Sequence, residues 1–483
     1  MSSTLLPRAQ NPGLPTQLPP DAGRAAAGIL IVLVAQLMFI LDATVVNVAL
    51  PGIATDLHFG PASLSWVLNS YTLAFGGLLL LGGRLGDVFG RRRAFWTGIS
   101  VFTLFSLLGG LAPASGLLVA FRALQGAGAA IAAPQVLALL TTSAPDEAAR
   151  NRALALFAAV SSGGGTLGLI LGGLLTDVAS WRWTLFINVP IGLTVLALVG
   201  RFVSETPRRP GRFDIVGAVT ATGGAGAVVW SLIGAPDHGW GSARTIGGLV
   251  LGAVLIGALV VTERRVAHPL LRLGLLRNRS RVAGLVLIAS VVGAQFSMFY
   301  LLVQYLENDL RYGPLATGVA FLPLTAGIFT MSRVTPRLVA RFGAAPLMVV
   351  GALGAVVSFA LLSDIGSGSS YAGAVLLPML VNGLSAGLVF MPTTSLVLAG
   401  VEPEHAGSAS GLLQTMQQLG GAVGLAVIAS VYAANAVPGE FLPGVHEAFL
   451  AAAILAGLGL VSALTLVLRR PSYAGGPVGT QPD

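Results

Sequence analysis

The sequence predicts an all-α integral membrane protein of fourteen transmembrane helices, built as two pseudo-symmetric six-helix bundles with two inserted helices between them. Three observations predict it. Apolar runs of about 17 to 27 residues recur from about residue 28 to 468, the length a helix needs to cross a bilayer core. Only 10% of residues are charged and the mean hydropathy is +0.84, whereas soluble domains carry about a quarter charged residues. The basic residues, all of them arginine, gather between alternate runs.

Taken in order, residues 1 to 27 are Pro-rich and polar and read as a disordered cytoplasmic tail, not a cleaved signal peptide. The apolar runs then cover 28 to 50, 62 to 82, 94 to 112, 115 to 140, 152 to 176, 183 to 203, 214 to 234, 245 to 262, 282 to 306, 314 to 333, 345 to 363, 372 to 399, 408 to 434 and 446 to 468. The most basic segments, "RFVSETPRRPGRFD" and "ERRVAHPLLRLGLLRNRSR", bracket the seventh and eighth runs. This divides the chain into an N-terminal bundle (28 to 203), an inserted two-helix linker (204 to 281), a C-terminal bundle (282 to 470) and a second cytoplasmic tail (471 to 483). Pro134, Pro190, Pro323, Pro378 and Pro392 lie within or beside runs of both halves, as expected where helices bend around a central cavity.

An even number of crossings leaves both termini on one side. With the termini in the cytoplasm, about 23 of the 27 arginines fall inside and Arg182, Arg244 and Arg311 outside, while Arg122 alone falls within a run. Positive loops stay cytoplasmic, so this asymmetry sets the orientation. The excess of Ala, Gly and Arg suggests a GC-rich genome, and with it a bacterial inner membrane.

Composition also excludes chemistry. Without cysteine there is no disulfide, thiolate metal site or cysteine nucleophile. The five histidines have no metal-ligand spacing, and neither a Ser-His-Asp array nor a phosphate-binding loop occurs, so no enzyme, metal or cofactor is expected. The net charge of +8 comes from arginines scattered among loops, which argues against nucleic acid as a partner.

The stretch "GGRLGDVFGRRR" (82 to 93) places five charges between two apolar runs. Its glycines at 86 and 90 permit a tight turn, and its arginines hold that turn inside. It resembles the signature loop between helices two and three of the major facilitator superfamily. "LDATVVNVALPGI" (41 to 53), "RALQGAGAA" (122 to 130), "WRWTLFINVPIG" (181 to 192) and "GSASGLLQTMQQLGGAVG" (407 to 424) resemble that superfamily's fourteen-helix drug:proton antiporter branch. The resemblance implies multidrug efflux driven by the proton gradient, with small amphipathic substrates, protons and the bilayer as partners, and a monomeric carrier. It also implies a conformational latch at Gly83, Asp87, Gly90 and Arg91, in which Asp87 meets the start of the helix near Gly407. A proton-driven uptake symporter, or an exporter of one endogenous metabolite, would share the fold and the acid. A membrane enzyme or receptor is disfavoured, because no soluble domain or catalytic array is present.

Asp42 is the only acid deep inside a run. An ionised carboxylate at mid-bilayer costs at least about 2.5 to 3.5 kcal/mol and needs a partner or a wet cavity. At about 1.5 Å per residue, Asp42 lies about 12 Å and Arg122 about 10 Å below the outer face. The matched depths make them the expected proton-coupling pair, with a cationic drug and a proton competing for one negative site. Asn47, Gln125, Gln295, Tyr300, Gln304, Asn382 and Met391 are the candidate lining of the substrate cavity, on helices the family assigns to the pathway. Glu307 and Asp309 end the ninth run and are expected to be solvated. In helix five, Gly168, Gly172 and Gly173 of "SGGGTLGLILGGLL" supply a packing face, but Leu169 stands where the family's motif has proline.

Overall fold

In hydrocarbon every backbone N–H and C=O has to be satisfied within its own segment, so long apolar runs become helices. The computed structural model describes residues 20–60, 63–143, 146–206, 214–266, 273–401, 406–437 and 441–468. The first six helices are α1 (Pro20–Leu57), α2 (Trp66–Phe89), α3 (Arg91–Gly110), α4 (Ser115–Ser143), α5 (Glu147–Val178) and α6 (Trp183–Phe202), the last broken at Ile187. Two more, α7 (Ile215–His238) and α8 (Ala243–Arg265), pack on each other. The rest are α9 (Arg279–Asn308), α10 (Pro314–Phe342), α11 (Ala344–Ser363), α12 (Tyr371–Leu398), α13 (Ala406–Asn435) and α14 (Val445–Leu468). Among the described residues eleven helices are long and apolar enough to cross a membrane, or twelve with the bent α2 counted as one span. The two outside that measure, α3 and α5, are 20 and 32 residues long and open on charged turns, Arg91 to Arg93 and Glu147 to Arg152.

Several helices run past the expected bounds, α1 to Leu57 and α10 to Phe342 among them, and two differences have a clear local cause. The first helix begins at Pro20 instead of 28. Proline suits a first helical turn, whose N–H groups have no intrahelical acceptor, and Arg24 Nε ties this turn to the Arg201 carbonyl at 3.1 Å. The stretch at 82 to 93 is not a loop but helix on both sides of one residue. Gly90 turns the chain at φ +102, a conformation open to glycine, and α3 starts at Arg91. Gly86 therefore lies inside α2, against the Gln135 side chain of α4, and serves the turn only through its carbonyl, which accepts the Gly90 N–H at 3.1 Å.

Packing differs between the two ends of the molecule. One apolar cluster draws on both bundles, with Leu50 and Ile53 of α1, Leu169 of α5, Leu301 of α9, Phe321 of α10 and Phe449 of α14. All of these lie toward the end opposite the chain termini, called here the far end. At the terminal end the clusters are separate. One holds Val32, Phe95, Val136 and Val199 of α1, α3, α4 and α6. The other holds Ile288, Met348, Val397 and Leu413 of α9, α11, α12 and α13. The molecule is closed at its far end. A fourth cluster, with Leu73, Val229 and Ala426, seats α7 against α2 and α13, where Ser430 Oγ also donates to the Leu232 carbonyl.

The tightest far-end contact joins α5 to α10. A side chain at Gly173 would strike the Pro314 carbonyl and come within 2.7 Å of Leu315 Cα, and one at Gly318 would strike the Leu169 carbonyl. Gly173→Val should therefore hold the far end apart. A short thiol cross-linker between Asp177→Cys and Gly313→Cys, in this cysteine-free chain, should join the two efficiently in the parent and several-fold less in the Gly173→Val background.

Candidate functional site

The centre of the N-terminal bundle is a dry polar cage. Asp42 of α1 is 0% exposed and Arg122 of α4 is 2% exposed. Arg122 Nη1 donates to Asp42 Oδ2 at 2.7 Å and to Gln125 Oε1 at 2.7 Å, while its Nε donates to the Val67 carbonyl of α2 at 3.2 Å. Its guanidinium also lies over the Tyr71 ring, 4.4 Å from the centroid. The other carboxylate oxygen, Asp42 Oδ1, accepts from Gln125 Nε2 and from Asn188 Nδ2, each at 2.8 Å. Ser106 Oγ of α3 accepts from the same two amides at 3.1 and 2.9 Å and donates to the Leu185 carbonyl at 2.9 Å.

Local sequence explains why these groups meet. Arg122 and Gln125 are three residues apart on one helix and so share a face. In α6 the Ile187 junction lies between Leu185, whose carbonyl faces Ser106, and Asn188, which starts the second piece. On its opposite side α1 meets α5 through glycines. Side chains at Gly168 and Gly172 would strike Thr44 Oγ1 and come within 2.7 Å of the Val45 carbonyl, respectively. Gly173 faces α10 instead, so the helix-five motif serves two contacts. The helix runs unbroken past Leu169.

With Arg122 bonded to it, unprotonated Asp42 belongs to a site of no net charge. Two sequence arguments change as a result. Occluding the unprotonated site does not bury a bare charge, and a cationic drug meets no free negative group there. Asn188 and Ser106 were not among the expected residues. Asn188 had a usable signal, an amide two residues before Pro190 at a helix entry. Ser106, one of many serines in apolar runs, had none.

The remaining candidates lie elsewhere. Six of the seven cavity residues are buried, and Met391 is 40% exposed. Gln125 alone joins the cage. Asn47 Nδ2 donates to carbonyls of its own helix, Ala43 and Thr44. Gln304 Nε2 donates to the Tyr300 carbonyl, and Asn382 Nδ2 to Ser358 Oγ. Gln295 is buried in α9 with its Nε2 unpartnered. Glu307 departs from the expected solvation, because its Oε1 is buried and its carboxylate lies against the Thr317 side chain.

At the latch, Asp87 accepts from Arg91 Nη2 at 3.2 Å, one helical turn away across the Gly90 corner. Gly83 lies 3.7 Å from Pro134 by its would-be Cβ, and a side chain at Gly90 would come within 2.7 Å of the Glu205 carboxylate. Glu205 accepts from the backbone N–H groups of Arg92 and Arg93 at 3.0 and 3.2 Å, where a helix N-terminus favours an anion. The expected contact of Asp87 with the helix start near Gly407 falls on side chains, and on residues 402–405, outside those described.

Among the described residues, membrane-crossing helices share an apolar core at one end, keep separate cores at the other and hold a fully buried ion pair, the frame of a membrane transporter. The chain belongs to the Major Facilitator Superfamily, which it matches over residues 32–425. It is 42% identical over 410 residues to the puromycin resistance protein pur8 of Streptomyces alboniger, covering 84% of this chain and 81% of that protein. To the cephamycin export protein CmcT of Amycolatopsis lactamdurans it is 38% identical over 437 residues, covering 89% and 90%. Its fold is shared with the nucleoside transporter NupG, at TM-score 0.61 and 14% identity over 92% of this chain and 98% of that one.

Removing one partner of a buried pair leaves an uncompensated charge, typically costing about 3 to 5 kcal/mol. Arg122→Leu and Asp42→Asn should therefore each lower the melting temperature of the detergent-solubilised protein. Adding Asp42→Asn to Arg122→Leu should restore part of the loss, as read by intrinsic-fluorescence scanning.

Proposed function

We propose that this protein exports hydrophobic or cationic drugs across a bacterial inner membrane in exchange for protons, as a monomer working by alternating access, with both termini in the cytoplasm. The Asp42–Arg122 cage carries this reading. Of the five ion pairs among the described residues it is the only one fully buried. Substrate class is supported by the relatives, whose names describe resistance to puromycin and export of cephamycin. Cytoplasmic termini are supported by the arginine asymmetry. The halves that rock are residues 28 to 203 and 282 to 470, with 204 to 281 as the linker between them.

In this reading the far end is the periplasmic side, and the cage as it stands is the carrier after proton release to the cytoplasm. When the far end opens, a proton from outside neutralises Asp42 and leaves the Arg122 charge without its counter-ion. A buried unpaired charge is costly, so protonation changes which arrangement of the cage is stable. Cationic and neutral drugs are then coupled to the proton through conformation, not through direct competition for Asp42. The Gly83, Asp87, Gly90 and Arg91 corner acts as the terminal-side latch that holds the complementary state.

The test is puromycin accumulation by energised inside-out vesicles, which separates an exporter from an uptake symporter. Wild-type vesicles should concentrate the drug and lose it on adding an uncoupler. Asp42→Asn should reach the membrane at normal levels and accumulate none. Arg122→Lys should fall at least about tenfold although the charge is kept, because lysine cannot reproduce the planar fork that reaches Val67, Asp42 and Gln125 together. Uncoupler-sensitive accumulation by Asp42→Asn would place the proton on another group.

A further inference from the structure

The cage has a fixed hydrogen-bond polarity with one exception. Ser106 Oγ spends its only hydrogen on the Leu185 carbonyl, so toward Asn188 and Gln125 it can only accept. Both N–H bonds of each amide nitrogen are then committed, one to Ser106 Oγ and one to Asp42 Oδ1. Gln125 Oε1 is held by the Arg122 guanidinium. The exception is Asn188 Oδ1, which is buried and has no hydrogen-bond partner among the described residues, on a side chain that is 0% exposed. A buried acceptor left unmatched is costly, and in a native structure it points to a function.

Every group around Asp42 is a donor, which suits a carboxylate and nothing else. Once Asp42 takes a proton from the aqueous phase, its new O–H needs an acceptor in a cage that presents only N–H bonds. Gln125 cannot turn to supply one, because that would aim its NH₂ at the Arg122 guanidinium. Asn188 can.

We propose that Asn188 is an amide toggle that reads the protonation state of Asp42; this rests on the reading of Asp42 as the proton carrier. With Asp42 unprotonated, Asn188 Nδ2 bridges Asp42 Oδ1 and Ser106 Oγ. With Asp42 protonated, the amide turns over, its Oδ1 accepts the Asp42 O–H, and Ser106 swings its hydroxyl hydrogen from the Leu185 carbonyl to the amide oxygen it now faces. No covalent bond changes other than the O–H formed on Asp42. The Leu185 carbonyl, one residue before the C-terminal end of the short first piece of α6, thereby loses the Ser106 bond and keeps only the Ile187 N–H. The proton state of α1 is passed to the break in α6, through α3, by reversal of two hydrogen bonds. Asn188 and Ser106 are positioning residues in this scheme.

Charged or titratable groups that face Asp42 are few. Arg122 of α4 pairs with it, and Tyr71 of α2 stacks on that guanidinium. From α3 and α6 come only Ser106 and Asn188, both neutral, and α5 meets α1 through Gly164, Gly168 and Gly172. Among the described residues, neither α9 nor α10, which also pack on α1, brings a charged side chain into hydrogen-bonding reach of Asp42.

The experiment is pH-difference infrared spectroscopy of the full chain in liposomes. A carboxyl band lost in Asp42→Asn identifies Asp42. The toggle requires a second band, a side-chain amide carbonyl lost in Asn188→Leu, that changes with the same midpoint as the first. Ser106→Ala removes three bonds from the unprotonated cage and two from the protonated one, so it should raise that midpoint by about half to one pH unit, a three- to tenfold tighter hold on the proton. The pH profile of puromycin transport should move with it. An Asp42 band that titrates without any Asn188-dependent partner overturns the toggle. If Asn188→Leu does not insert, an unmoved midpoint in Ser106→Ala overturns it equally. If no titrating carboxyl band is lost in Asp42→Asn, the reading of Asp42 as the carrier is overturned, and the toggle with it.

Discussion

The rest of this structure is arranged around one ion pair, Asp42 with Arg122, closed at 2.7 Å in the centre of a helix bundle. A lone carboxylate at that depth would be costly, and so would a lone guanidinium. Each makes the other tolerable only if both are saturated with hydrogen bonds. That requirement brings α2, α3 and α6 to the pair through the Val67 carbonyl, Ser106 and Asn188. It also needs close backbones, which the glycines of α5 permit where they lie on Thr44 and Val45. Small residues matter here because lipid offers no hydrophobic drive between helices, leaving close packing and hydrogen bonds to hold them.

The same logic describes how the two ends of the molecule differ. At the far end the bundles share a core and meet through Gly173 and Gly318, contacts that exist only while the backbones touch. At the terminal end each bundle among the described residues has a core of its own. A contact between rigid halves that can be made or broken as a unit is what a rocking transporter needs. Membership of the Major Facilitator Superfamily and the similarity to resistance and export proteins agree with a carrier of this kind.

Charge at the terminal end does more than set topology. Arg91, Arg92 and Arg93 open α3 directly after a one-residue corner, and past the end of α6 Glu205 caps the backbone N–H groups of Arg92 and Arg93 while Thr206 Oγ1 accepts that of Arg91. The corner is stiff because Gly90 leaves no slack between α2 and α3, and because Gly86 fits against Gln135.

Much of this was legible in the residues alone. Helices, their order and the side on which arginines collect follow from run length and charge, which are local and survive any detail of packing. The matched depths of Asp42 and Arg122 also follow, since rise per residue is constant. Helix ends were less legible, because capping and the reach of Arg24 or Glu205 decide them across long separations. Which neutral groups complete the cage was decided only by tertiary structure. Asn188 reaches Asp42 across 146 residues and Ser106 reaches Asn188 across 82, and an amide or hydroxyl in an apolar run looks the same whether it bonds its own helix, as Asn47 does, or a distant carboxylate. Hydrophobic burial specifies which segments leave water, but hydrogen bonds are directional, and their partners exist only once the helices have been brought together.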